Sequence, residues 1–367
     1  MGMHVTVKQK ILLHLMRFNV TPETGFTVAY DITQDGIASV IGVTRAHVSV
    51  ELKRMTEDGR LICWKAHLAG SSIKRLAYAV TPRGLSEAET IQKTLLENGI
   101  IPEMLLDMNG CSPGDLWNTL DEADRDVLGM VCVLRRRIPR NDLPKMSNAT
   151  LPVDMEGLVS IPKAAARNYL TYASAARTRA WNSWAAEYWL SHNDYVERLY
   201  HLTMAGRMRE ASRCLSIHKN EILDHADNQM LRVVKKILPE PETAAEVFRT
   251  GAEMALKLNK TDDAGRMCAR LATVSEHEWK PIMAEVYRRN GKRDEAYKLA
   301  MDSMTTKPNP HAALVLARIA VDDKDLDTAE TYIDKAAVGL SHTGDARLLD
   351  EIHRVRASVD ELRESEE

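Results

Sequence analysis

DITQDGIASVIGVTRAHVSVELKRMTEDGRLI, residues 31–62, decides the reading of this chain. Thr33 stands where a helix N-cap is needed, and Ile37, Val40 and Ile41 follow at i, i+3 and i+4. Gly42 ends that helix, because glycine takes a positive φ without Cβ strain. Thr44 caps a second helix expected to run to Gly59, with Val48, Leu52 and Met55 on its buried side. The spacing of Ala38, Gly42 and Val48 suits two helices crossing closely over a tight turn.

Outward from that stretch, Val7, Ile11, Leu12 and Leu15 mark one face of an earlier helix. FTVAYDI, residues 26–32, reads as a short extended piece. Downstream, LICWKAHL and IKRLAYAV are two β-rich runs joined by Ala69-Gly70-Ser71-Ser72, a hairpin signal. The order is helix, helix, tight turn, helix, hairpin.

With AYAVTPRG at 77–84 after the hairpin, this segment resembles winged-helix regulators of the MarR and ArsR type, the archaeal ones most of all. The resemblance covers about 85 residues and implies a domain that reads double-stranded DNA, its third helix in the major groove. Successive residues of a helix advance by about 100°. Ala46, Ser49, Val50 and Lys53 therefore face away from Val48, Leu52 and Met55, with Arg45 and His47 at the helix start and Arg54 beside Lys53. Arg45 suits a bidentate contact to guanine and Val50 a thymine methyl. Gln34 and Thr44 sit at helix N-termini, where amides meet phosphate. Lys74 and Arg75 follow the hairpin turn and are expected at the backbone or minor groove. The plain alternative for all of these is a solvated polar surface, and a winged helix can also bind protein.

Charge is divided unevenly. Residues 1–85 carry 11 Lys and Arg against 6 Asp and Glu, a balance of +5, while the remainder balances at −8. A basic head on an acidic body fits a nucleic-acid-binding module joined to a part that binds something else. The five cysteines, Cys63, Cys111, Cys132, Cys214 and Cys268, make no CxxC pair, which argues against a zinc ribbon or disulfide framework and fits a reducing cytoplasm. No apolar run reaches a membrane span, and the N-terminus reads as an amphipathic helix rather than a signal peptide.

After Gly84, Leu85, Ala88, Ile91 and Leu95 share a helix face. In winged-helix regulators such a helix often makes a homodimer contact; equally, it can pack on its own domain. Trp117 to Arg137 reads as a helix with Asp121, Glu122 and Asp124 first and Arg135, Arg136 and Arg137 last. Complementarity to the helix dipole explains that order better than phosphate binding. Residues 141–162 read as a connector.

From Lys163 onward almost everything is helical, and it repeats. Ala264 to Ala296 is 32 residues and Ala296 to Ala329 is 33, whereas Ala211 to Ala264 is 53, so one helix pair is irregular. Tyr287, Gly291 and Ala296 resemble the tetratricopeptide pattern at offsets 0, 4 and 9, with Pro308 in the place of a closing proline. The last segment reads as a capping helix. Trp181, Trp184, Ala185 and Tyr188 form an aromatic stripe, expected as core rather than a ligand cage, with Trp189 beside it. This piece with AGRMREA resembles the helical sensor regions of large signal-dependent regulators, which often carry an ATPase module; no GxxxxGK[ST] occurs here.

The expected fold is therefore mainly α: a winged-helix DNA-binding domain over 1–98, a helical connector over 99–162, and a TPR-like α-helical solenoid over 163–367. The expected function is a sequence-specific transcriptional regulator whose repeats bind a protein partner or effector. The alternative is a scaffold in which both parts bind protein. No GxSxG, HExxH, GxGxxG or paired Cys/His set occurs, so no enzyme, metal or cofactor is expected.

Overall fold

The structure is a computed structural model and describes residues 5–69, 73–106, 117–118, 120–147, 149–154, 156–159, 161–305, 308–340 and 346–366. The expected turn residues Gly70, Ser71 and Ser72, and Cys111, lie outside the described residues. The fold is mainly helical with a small three-stranded sheet near the N-terminus. The chain divides into two compact units, 1–185 and 186–367.

The first unit opens with α1 (Val7–Leu15), β1 (Thr27–Val28), α2 (Gln34–Ile41), α3 (Arg45–Glu57), β2 (Leu61–Leu68), β3 (Lys74–Val80) and α4 (Pro82–Glu97). Each boundary has a local cause. Thr33 Oγ1 accepts from Gly36 N at 3.2 Å, Thr44 Oγ1 from His47 N at 3.4 Å, and Thr81 Oγ1 from Gly84 N at 3.1 Å. Gly42 closes α2 with φ +74°. Gly84 must be glycine because a Cβ there would fall 2.1 Å from the Arg60 carbonyl oxygen. The core joins Ile11, Leu12, Leu15, Ile37, Val48, Leu52 and Met55, all at most 1% exposed, to the inner side of the hairpin.

Two expectations are corrected in this unit. The extended piece shrinks to Thr27–Val28, paired parallel to β2, because the chain then turns through a 3-10 segment at Tyr30–Ile32. The helix expected over 117–137 is α5 (Glu122–Val133). It starts where Asp121 accepts from Asp124 N at 2.8 Å and stops where Leu134 turns extended. Arg135, Arg136 and Arg137 therefore lie beyond it, and the dipole account of them fails. Arg137 instead pairs with Asp154. α6 (Lys163–Leu170) and α7 (Ala175–Ser191) follow, the division between the units falling within α7.

The second unit is a row of helices: α8 (Tyr195–Ala205), α9 (Met208–Ile217), α10 (Lys219–Asp224), α11 (Asn228–Lys236), α12 (Pro241–Lys257), α13 (Thr261–Ala272), α14 (Trp279–Arg289), α15 (Arg293–Thr305), α16 (Pro310–Asp322), α17 (Leu326–Leu340) and α18 (Ala346–Glu366). One turn recurs between paired helices. Gly206, Asn259, Gly291 and Lys324 all take positive φ. In each case the next residue's amide reaches back five residues: Arg207 to Leu202 O, Lys260 to Ala255 O, Lys292 to Tyr287 O and Asp325 to Ala320 O. This is the Schellman C-cap, repeated. Five residues after each turn residue stands Ala211, Ala264, Ala296 or Ala329, every one 0% exposed. A small side chain at that place lets the two helices of a pair close up. The 53-residue gap is filled by the short helices α10 and α11.

Candidate nucleic-acid interface

α3 is held from below and bare above. Val48, Leu52 and Met55 are 0%, 1% and 1% exposed, while Arg45, Ala46, His47, Ser49, Val50, Lys53 and Arg54 all face solvent. Val50 keeps 51% of its surface exposed, an apolar side chain in the middle of a polar face. Thr44 is exposed at the α3 N-terminus and Gln34 is half-buried in the first turn of α2.

The cations of that face have close counter-ions. Arg45 Nε lies 3.1 Å from Asp35 Oδ1, Arg54 Nη1 is 3.2 Å from Glu51, and Lys53 Nζ is 3.9 Å from Glu57. The two pairs within α3 follow from i, i+3 and i, i+4 spacing. The Arg45–Asp35 pair needs the α2–α3 turn, which brings residues ten apart together. Exposed pairs of this kind contribute about 0–1 kcal/mol and exchange partners readily.

The hairpin register sorts the side chains of β2 and β3. His67 faces Lys74, Lys65 faces Leu76 and Ala66 faces Arg75. Opposed residues share a sheet face, so Lys65, His67 and Lys74 line one side and Arg75 the other. Lys65, Lys74 and Arg75 are exposed, and among the described residues none has an acidic partner. Lys65 was missed from sequence, and counting back from the hairpin turn would have found it. Beside the hairpin, Glu87 of α4 ties Lys8 of α1 at 2.9 Å and Arg60 Nε at 2.6 Å. Burial pushes the Glu87 carboxyl up, but Lys8 and Arg60 outweigh it and hold it below the usual carboxylate range.

α4 turns its Ala88 and Leu95, both 0% exposed, onto the module's own core, while Leu85 and Leu96 stay exposed. The aromatic stripe divides. Trp181 is 2% exposed, packs over Gly129 and donates from Nε1 to Asp126 at 2.9 Å; Ala185 is buried; Trp184 and Tyr188 are only half-buried. Among the described residues no three His, Cys, Asp or Glu side chains gather to hold a metal, and no helix is long and apolar enough to cross a membrane. Burial pushes the thiol pKa values of Cys214 and Cys268 up, to about 11 and about 12, away from reactive thiolate.

No family model matches the chain, and no curated protein matches it. Among solved structures, one that it resembles is the Signal Transduction ATPase with Numerous Domains (STAND) protein with a tetratricopeptide repeat sensor from Pyrococcus horikoshii. The two share 12% identity over 77% of this chain and 56% of that one, with a TM-score of 0.28. The chain thus spans little more than half the length of that protein. A superposition this loose leaves the repeat description resting on the array's own turns and buried alanines.

The array's charged side chains are largely paired with one another. Glu285 of α14 sits 4% exposed between Arg288 at 2.9 Å, Arg289 at 2.7 Å and Arg318 of α16 at 3.7 Å. Arg318 also holds Glu351 of α18 at 2.9 Å. Burial pushes the Glu285 carboxyl up, but Arg288 and Arg318, then Arg289, hold it down to about 2. Such a chain of pairs fixes the register of successive helices.

Proposed function

We propose that this chain is a DNA-binding transcriptional regulator in which residues 1–98 act as a winged helix and the helical repeats bind a protein partner. The observation that carries the reading is α3: a rigidly seated helix whose outward residues Arg45, Ala46, Ser49, Val50 and Lys53 are all exposed. A face that mixes a guanidinium, small polar groups and one apolar side chain suits base edges in a major groove. The +5 balance of residues 1–85 and the cations of the wing support it. DNA would have to displace Asp35, Glu51 and Glu57 from these exposed pairs, at a cost of about 0–1 kcal/mol each. We assign the chain no catalytic activity and place it in the cytoplasm. Pairing of two copies through exposed Leu85 and Leu96 of α4 completes the proposal.

One observation favours a second reading. Every cation on α3 has an acid beside it, and Val50, Ile73 and Leu76 are exposed at 51%, 51% and 44%. A protein-binding surface would also have that mixture. Binding of the full chain to a panel of duplexes separates the two. Arg45→Ala should relax preference at one base position by about 1–3 kcal/mol, while Lys74→Ala should weaken all sequences alike. Identical behaviour of the two variants would remove the groove assignment, and no duplex binding at all would favour the scaffold.

A further inference from the structure

The array carries an apolar groove that its own side chains leave open. Its volume is about 590 Å³, and its floor is Ala244 and Phe248 of α12, both buried. Leu238 and Val274 stand at its rim, 68% and 47% exposed. Ile237, next to Leu238, is 1% exposed, so the link is anchored by one residue while its neighbour is left in water. The groove begins at the link from α11 to α12, just after the short helices that interrupt the regular repeat.

One cation sits in this groove. The Arg270 guanidinium lies over the Phe248 ring, 4.5 Å from its centroid. Among the described residues no carboxylate pairs with it, whereas other cations of α9, α11 and α13 have acidic partners. Arg209 and Arg213 share Glu240, and Lys235 and Arg266 share Asp263. Stacking on an aromatic face orients a guanidinium and leaves the N–H groups at its edge free to donate. An apolar floor with one oriented, unneutralised arginine at its side is complementary to an apolar group carried next to an anion.

We propose that this groove is the docking site for a protein segment that presents a large apolar side chain beside a carboxylate. The proposal rests on the reading of the array as a protein-binding domain and gives that reading a place and a chemistry. The apolar side chain covers Phe248 between Leu238 and Val274, and the carboxylate takes the Arg270 edge in a charge-assisted pair. Nucleic acid fits poorly, since one cation over an apolar floor offers little to a row of phosphates.

The test uses the full chain and two fluorescein-labelled synthetic hexapeptides, one alternating leucine with glutamate and one alternating leucine with lysine. Anisotropy should give the acidic peptide an affinity about tenfold above that of the basic one. Arg270→Glu should reverse that preference, and Val274→Ser should weaken both peptides. Arg270 and Val274 are exposed, so unchanged melting curves should accompany both variants. Equal binding of the two peptides, or a preference that survives Arg270→Glu, overturns the proposal. So does dimerisation of the chain that Leu238→Ser abolishes, because the occupant is then a second copy. If a protein partner binds the chain and Arg270→Glu leaves it bound, this site fails while the protein-binding reading of the array stands.

Discussion

Arg45 is the residue on which the DNA reading depends most, and Asp35 is its competitor. Their 3.1 Å pair occupies the guanidinium that a guanine would need. Removing the acid without changing its shape should therefore help. Asp35→Asn is expected to strengthen duplex binding by about 1 kcal/mol, roughly fivefold, and Arg45→Ala should abolish that gain. A weaker or unchanged affinity for Asp35→Asn would mean that Arg45 stays off the DNA. A second residue sets a pH dependence. Burial pushes the Glu253 carboxyl up to about 7, with Arg249 and Lys219 opposing and Glu246 and Glu351 adding. The folded state thus binds a proton more tightly than the unfolded state, whose carboxyl titrates near its ordinary value of about 4.3. Stability from this group is full below that value and declines as pH rises towards about 7. Glu253→Gln should leave the array unchanged near pH 4 and stabilise it near pH 8, by roughly 3–4 kcal/mol. Urea midpoints at the two pH values check it, and an equal effect at both would contradict it.

At the scale of elements, the recurring turn makes the array. Gly291 and Lys324 occupy the same place in successive pairs, with φ of +76° and +60°. A side chain in that conformation costs about 1 kcal/mol, and glycine avoids the cost. Gly291→Ala should lower the array's unfolding free energy in urea by about 1 kcal/mol and Lys324→Gly should raise it by somewhat less. Two substitutions acting in the same direction would show that the caps are not equivalent. This turn also explains what the sequence disclosed. Tyr287, Gly291 and Ala296 could be read because that repeat has glycine at the turn, while Asn259 and Lys324 concealed the same geometry in its neighbours. The α2–α3 pair and the hairpin were legible because Thr33, Gly42 and Thr44 are strong local signals that packing did not override. The end of α5 was not, because extended Leu134 and the burial of Ile138 depend on tertiary packing rather than on any glycine or proline at the boundary. Nor were the Arg45–Asp35 pair and the stack of Arg270 on Phe248, since both join residues from different helices.

At the scale of the whole molecule, the chain pairs a basic head with an acidic remainder, +5 against −8. Each part has its own way of holding together. The head relies on one apolar core under α1, α2, α3 and the hairpin. The array relies on buried alanines between helices and on ion pairs such as Arg318–Glu351 and Arg288–Asp322, at 2.9 Å and 2.6 Å, that link one pair to the next. The account gives nucleic acid to the first and protein to the second. Its most direct test is the affinity of the full chain for a labelled duplex between about 50 and 200 mM salt, beside Lys53→Ala. The account predicts a log affinity that falls linearly with log salt, and a slope smaller by about one in the variant. Absence of duplex binding at the lowest salt, or a slope that Lys53→Ala leaves unchanged, would contradict it.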